Sequence, residues 1–138
     1  MDESGEENRA KVIRIIKQEL PMMIDGIDMT RALQNVGGDS ELLRNVLIKF
    51  YETHLNDMET IRKSYAEGDM EVTHRIAHTL KGISATLGAS NLLASSEALD
   101  SHIKAQQLEM LPELINGVDG ALIPILESIK LKLIEADD

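Results

Sequence analysis

Apolar residues recur at intervals of three and four positions along most of the chain, the spacing that places them on one face of an α-helix. Together with the polar residues and glycines that interrupt it, this pattern predicts five helices. In chain order they lie within residues 28–37, 39–68, 69–87, 90–104 and 109–133. Because the last four are long, amphipathic and joined by short turns, the sequence predicts an all-α fold. The expected architecture is an antiparallel four-helix bundle with one or two short additional N-terminal helices.

The ends of these helices carry residues that favour a start or a stop. Candidate N-cap residues precede three of them: Asp28, Asp39 or Ser40, and Asp69. Pro124 lies inside the last helix, which is expected to continue past it with a kink. A break at Gly117 or Gly120 is the alternative, because glycine weakens a helix.

The chain length suits one domain with a buried core. Residues 1–8 are acidic and polar and are expected to form a disordered tail. Residues 9–26 contain apolar positions at helical spacing before Pro21, and we expect a linker or a short helix that docks on the body or connects to a preceding domain. Residues 27–138 form the predicted bundle.

The composition narrows the classes of function. Of all residues 43% are hydrophobic but only 2% are aromatic, so the core is aliphatic, which favours helices. The formal net charge of -10 argues against nucleic acid or an anionic membrane surface as a partner. The chain has no cysteine, no apolar run of membrane-spanning length and no signal peptide at its start. We therefore expect a cytoplasmic protein without membrane insertion or thiolate chemistry.

The segment HRIAHTLKGISATLGA, which begins at His74, holds the candidate chemistry. A helical wheel collects the apolar side chains of this helix on one stripe, which is predicted to be buried: Val72, Ile76, Leu80, Ile83 and Leu87. His78 lies roughly 160° from that stripe, and His74, Lys81 and Ala85 share its outer sector. Gly82 lies one turn from His78 and costs roughly 1 kcal/mol of helix stability relative to alanine. The small residues therefore indicate that another molecule reaches the imidazole.

An exposed imidazole is partly neutral near pH 7, so one ring nitrogen offers a lone pair as a nucleophile. Lys81 would attract an anionic phosphoryl group, and phosphoryl transfer needs little beyond in-line positioning and charge neutralisation. Antiparallel packing of the helices on either side of Gly88 places Asp100 at a height similar to that of His78, where it is a candidate for orienting the ring. The patch is predicted to be half of an active site whose other half lies on a partner.

The run AHTLKGISATLGA, residues 77–89, closely resembles the signature of histidine-containing phosphotransfer domains: Ala-His-x-Leu-Lys-Gly, small residues, then Leu-Gly-Ala. The similarity covers about residues 27–133 in the order and spacing of the helices and in a Gly-Asp link between two of them. The resemblance implies that His78 is the phosphorylated residue, Lys81 its electrostatic companion and Gly82 the steric clearance.

The remaining candidate site residues are expected to face the partner: His74, Ala85 and Asp100. The resemblance implies that the partners are response-regulator receiver domains, which exchange the phosphoryl group through an aspartate and supply the Mg²⁺. No cofactor is then expected on this chain. It would be a monomeric phosphocarrier, alone or within a hybrid sensor kinase, without ATP-dependent kinase activity of its own, since the chain lacks a Gly-rich nucleotide loop.

Other interpretations remain open. The domain could be the phosphoacceptor of a chemotaxis-type kinase, or a helical module that docks a partner without covalent change. His74 and His78, with Glu71, place three potential metal ligands on one helical face, but a histidine pair at this spacing is common by chance and no metal site is expected. His54, close to the apolar stripe of its helix, is expected to be a partly buried structural histidine.

Overall fold

The computed structural model describes residues 20–135 of the chain. Its α-helices, numbered here in chain order, are α1 Met29–Asn35, α2 Ser40–His54, α3 Asp57–Ala66, α4 Met70–Leu87, α5 Ser90–Lys104 and α6 Leu111–Ile129. A 3-10 turn, Leu108–Met110, precedes α6, and a π-helical turn, Lys130–Ile134, follows it. The described residues contain no strand beyond one isolated bridge between Ile24 and Ile27. The predicted all-α fold is confirmed.

The helices form a bundle of four rods in which α2 and α3 together make one rod. α4 packs between α3 and α5, and α6 closes the ring by contacting both α5 and the α2–α3 rod. The buried core is aliphatic apart from one aromatic ring, that of Phe50. Fully buried leucines and isoleucines come from each rod, including Leu47, Leu80, Leu99 and Leu122. The short helix α1 packs at one end, against α4 and α2.

The sequence predicts one helix across residues 39–68, and this prediction is wrong at one point. Asn56 leaves helical geometry, with φ -106° and ψ 12°, so α2 ends at His54 and α3 begins at Asp57. Asparagine competes with helix hydrogen bonding, which favours a turn here. The Nδ1 atom of His54 lies 2.7 Å from Oδ2 of Asp57 and bridges the break. His54 is only 7% exposed, in agreement with the structural role expected for it.

The last helix is continuous through Pro124, and the alternative break at Gly117 or Gly120 is not observed. A proline inside a helix deprives the carbonyl of the residue four positions earlier of its hydrogen bond, here Gly120. Both Gly120 and Pro124 lie on the exposed face of α6, so water can satisfy that carbonyl. This exposure reduces the free-energy cost of Pro124 inside the helix. The apolar face of α6 therefore packs against the core on both sides of the proline.

Aspartate caps begin three of the helices, as the sequence predicts. The carboxylates of Asp28, Asp39 and Asp69 accept hydrogen bonds from backbone N–H groups in the first turns of α1, α2 and α4. Gly88 ends α4 in the left-handed conformation, with φ 63°. A Cβ atom at Gly88 would lie 3.0 Å from Cβ of Asp28, and the Asp28 N–H donates to the Gly88 carbonyl at 3.1 Å. This contact fixes the start of α1 against the α4–α5 turn.

The predicted tail, residues 1–8, and residues 9–19 of the predicted linker or helix lie outside the described residues. Residues 20–26 contain no helix. Ile24 is 2% exposed and joins the core, and the Asp25 N–H donates to Oγ of Ser128 at 3.0 Å. Residues 24 and 25 of this segment therefore pack against the body of the domain, with a hydrogen bond to α6.

Candidate functional site

Helix α4 is turned about its axis relative to the sequence prediction. Its buried side chains are Thr73, Ala77, Leu80, Ser84 and Leu87. Only Leu80 and Leu87 of the predicted stripe are fully buried, whereas the other three members are half-buried, a rotation of roughly 60°. Small and hydroxyl residues can face the neighbouring helices because their hydroxyls bond within the protein: Ser84 Oγ donates to the Leu80 carbonyl, and Thr73 Oγ1 lies 2.6 Å from Oγ of Ser64. The rotation moves His74 and Lys81 towards α5.

His78 lies on the solvent side of α4, as the wheel predicts, with 63% of its side chain exposed. Its Nδ1 atom is 3.8 Å from Oδ2 of Asp100, which is too long for a hydrogen bond but within the range of direct electrostatic interaction. Nε2 is therefore the ring nitrogen remote from the carboxylate. The arrangement brings together the pair that antiparallel packing of α4 and α5 predicts.

Asp100 is the centre of the site, and its side chain is only 1% exposed. Two histidines and two lysines surround its carboxylate. The N–O separations are 2.7 Å from His74 Nε2, 3.2 Å from Lys104 Nζ, 3.8 Å from His78 Nδ1 and 3.9 Å from Lys81 Nζ. A buried carboxylate is costly unless positive charge or hydrogen-bond donors compensate it, and this cluster supplies both.

The charges around Asp100 decide its ionisation. Burial of the carboxyl raises its pKa, but the hydrogen bond and positive charge of Lys104, with the charges of the two imidazoles, outweigh burial. The net pKa lies below the usual value of an aspartate. Asp100 is consequently an anion at neutral pH, although water has almost no access to it.

His74 is half-buried, with 34% of its side chain exposed, and its Nε2 is the closest atom to the carboxylate. The separation is that of an ion pair, yet within residues 20–135 neither Nε2 of His74 nor Oδ1 of Asp100 makes a hydrogen bond of acceptable geometry. The contact is therefore electrostatic rather than a well-aligned hydrogen bond. A ring nitrogen this close to an anionic oxygen must carry a proton, because a lone pair there would be repelled.

Lys104 was missed by the sequence prediction. It lies in the last turn of α5, four residues after Asp100, so that its ammonium group reaches back to the carboxylate. The sequence did contain a signal for this contact, since an acidic residue followed four positions later by a lysine forms a stabilising pair on one helix face. Lys81 contributes the second ammonium group from α4, so the cations come from both helices.

Gly82 and Ala85 lie on the exposed side of α4. A Cβ atom added at Gly82 would meet no atom within 4 Å, so packing does not require glycine there. Ala85 lines a shallow cavity between α4 and α5 that Arg31 and Leu93 also line. The surface next to His78 is thus low and open along one side.

Among residues 20–135, no group of three or more His, Asp or Glu side chains is arranged to hold a metal ion. No helix in the same range is long and apolar enough to cross a membrane.

The fold and the site define a class of protein: a helical bundle that presents an imidazole to solvent beside a buried carboxylate and two lysines. A family model described as Hpt domain matches residues 45–133, more than half of the chain. The chain belongs to the Hpt domain family, whose members are phosphocarrier modules of histidine phosphotransfer in two-component signalling and generally interact with receiver domains. No match was found among curated proteins or among solved structures.

Proposed function

We propose that His78 is the residue that carries the phosphoryl group, accepting it from the aspartate of one receiver domain and passing it to that of another. The observation that carries this proposal is the position of the imidazole, 63% exposed on a rigid helix with Nδ1 towards the Asp100 carboxylate. Of the histidines in the described chain, only His74 shares this carboxylate, and its Nε2 faces inward. Nε2 of His78 is the ring nitrogen available to a visiting protein.

In the proposed step, the phosphoryl group moves directly from the receiver's aspartate to His78, with no further reactant. The Nε2 lone pair attacks the phosphorus of the receiver's acyl phosphate, the N–P bond forms, and the P–O bond breaks with its electrons returning to the receiver's carboxylate. The ring becomes a phosphoimidazolium that keeps its proton on Nδ1, where the negative Asp100 Oδ2 stabilises the positive charge. The reverse sequence delivers the phosphoryl group to the next receiver. Mg²⁺ and the acidic pocket belong to the receiver.

The two lysines support the same step. A phosphoryl group on Nε2 adds about two negative charges at neutral pH, and Lys81 and Lys104 lie within 4 Å of the carboxylate oxygen nearest the ring. Lys81 Nζ, at 3.9 Å from that oxygen, is beyond hydrogen-bond distance, so its ammonium protons are not committed to Asp100. The cations both balance Asp100 in the resting state and attract the transferred group.

Gly82 leaves open the space through which the receiver approaches His78. Glycine on an exposed helix face has an energetic cost and no packing reason here, since its missing Cβ would touch nothing. The benefit must come from a molecule that is absent from the free domain. Ala85 lies about one turn after Gly82 on the same face of α4 and extends the low surface. In a monomer all of this surface is exposed.

The experiment offers two phosphodonors to the purified domain: receiver domains phosphorylated beforehand, and the small molecule phosphoramidate. We expect phosphate on the domain that is lost in acid and kept in alkali, and its absence in His78→Gln. His102→Gln is the matched control, because His102 is a histidine on α5 whose Nδ1 contacts its own helix, at the Ala98 carbonyl.

Phosphate retained by His78→Gln would contradict the assignment of the acceptor. Stable receiver binding with no phosphate on the domain from either donor would instead support a docking module. Labelling by an ATP-binding kinase domain but by no receiver would indicate the phosphoacceptor of a chemotaxis-type kinase.

A further inference from the structure

Two imidazoles share the Asp100 carboxylate, but they contact different oxygens. His74 Nε2 lies 2.7 Å from Oδ1, whereas His78 Nδ1 lies 3.8 Å from Oδ2. Both lysines of the site are also on Oδ2. Oδ1 is buried and makes no hydrogen bond to any group in residues 20–135. His74 is therefore the group that occupies Oδ1.

We propose that His74 is a positioning residue: it fixes the rotation of the Asp100 carboxylate and so holds Oδ2 towards Nδ1 of His78. This inference rests on the proposed function of His78. A carboxylate contacted at Oδ1 by His74 and at Oδ2 by Lys104 has a single orientation. Without His74, the buried Oδ1 loses its close electrostatic contact with Nε2, and the carboxylate gains by turning Oδ1 towards the Lys104 ammonium.

The orientation of Asp100 matters because it selects the proton position on His78. Which ring nitrogen of a neutral histidine carries the proton depends on the partner of the other nitrogen. A carboxylate oxygen at Nδ1 favours the form protonated there, which leaves the lone pair on the exposed Nε2. Disorder of the carboxylate shifts His78 towards the form protonated on Nε2, and that form has no lone pair on the exposed nitrogen with which to attack phosphorus.

The surroundings of His74 suggest a competing role, direct contact with the receiver. About a third of its side chain is exposed, and it lines a shallow depression with Met70, Glu71, Ile103 and Lys104. The charged groups there are one acid and one base, which gives the depression no strong preference for a charged partner. A direct contact would affect transfer from receivers alone, whereas positioning acts before any partner arrives.

The test compares wild type with His74→Leu, which removes the polar contact, and His74→Gln, whose amide N–H reaches about as far as the ring Nε2–H. His102→Gln is the matched control. ¹⁵N-histidine spectra recorded at a pH where the rings are neutral give the fraction of His78 protonated on Nδ1. Phosphoramidate, which needs no docking surface, gives the rate of phosphorylation.

We expect His74→Leu to lower the Nδ1-protonated fraction and to slow phosphorylation by about fivefold, with most of both effects reversed in His74→Gln. Unchanged spectra and an unchanged phosphoramidate rate in His74→Leu would overturn the inference. So would a loss confined to transfer from receivers, which would make His74 a contact residue.

The spectra need no phosphorylation, so the two proposals fail in different ways. A wild-type domain that gains no phosphate on His78 refutes the proposed function before any His74 variant is made. If His74→Leu does not fold, His74→Asn takes its place, because it stays polar but is too short to reach Oδ1. An unchanged Nδ1 fraction in that variant would be equally decisive against positioning.

Discussion

Replacing Gly82 by alanine should make the domain more stable and a poorer partner at the same time. Alanine is favoured over glycine inside a helix by about 1 kcal/mol, and the added Cβ meets no atom within 4 Å. For a domain of this size, that gain raises the melting temperature by about 3 °C. Stability and function then change in opposite directions.

The loss of function should depend on the size of the phosphodonor. Against a receiver, the new methyl group stands between two protein surfaces, and we expect transfer to slow by about tenfold for Gly82→Ala and by considerably more for Gly82→Glu, whose longer acidic side chain also repels the phosphoryl group. Against phosphoramidate, Gly82→Ala should react within about twofold of wild type, since a small donor passes the methyl group.

Gly120→Ala is the matched control for this experiment. Gly120 is also an exposed helical glycine whose added Cβ meets nothing within 4 Å, but it lies on α6, away from His78. It should give the same stabilisation and leave transfer from receivers unchanged. Thermal unfolding and single-turnover transfer assays on the same preparations give both quantities. If Gly82→Glu transfers as fast as wild type, or if Gly82→Ala lowers stability, the clearance argument is wrong.

Further predictions concern the charges and the backbone. Since the pKa of Asp100 is lowered in the folded state, its ionisation stabilises the fold above about pH 4, and this contribution is lost as the pH falls through the lowered pKa. Urea titrations should therefore show that the stability difference between wild type and Asp100→Asn shrinks in acid. A difference that stays constant with pH would contradict the electrostatic role of the cluster. Lys104→Met should slow phosphorylation by phosphoramidate by about fivefold, because it removes a positive charge that contributes about 1 kcal/mol at the short distances of the site. Lys130→Met, which removes a lysine paired with Glu135 away from the site, should leave the rate unchanged. Gln106 has φ 57° just after α5, so Gln106→Gly should stabilise the domain by about 1 kcal/mol in thermal unfolding, and a loss of stability there would show that the glutamine side chain matters.

The helices themselves were largely predictable because their signals are local. An aspartate at an N-cap or a glycine in the left-handed region acts on the backbone within one turn, so Asp69 and Gly88 are found at the ends that the sequence assigns to them. The division at Asn56 was not predicted, because Phe50 and Met58 lie eight positions apart, a spacing that one continuous amphipathic helix also allows. The contact between His54 and Asp57 that accompanies the break can be inferred only once the turn is known.

The site was predictable to the extent that it follows from one helix. The outward position of His78 survives a rotation of α4 by tens of degrees, because it lies nearly opposite the core. His74 and Lys81 lie at the edge of the buried face, where the same rotation decides whether they face water or α5. Amphipathic analysis treats serine and threonine as outward residues, whereas Thr73 and Ser84 are buried here with their hydroxyls bonded. The shared contact with Asp100 therefore required coordinates.

The cluster around Asp100 comes from a single helical hairpin. Every side chain in it lies between His74 and Lys104, and the α4–α5 pair that carries them is closed by the turn at Gly88. Contacts so near in sequence lose little loop-closure entropy and tend to form early in folding. Native-state hydrogen exchange should therefore find α4 and α5 protected as one unit, and the distances at His78 should be insensitive to sequence changes on the exposed faces of α2 and α3. The exposed faces of the other helices can then vary while the geometry around Asp100 stays the same.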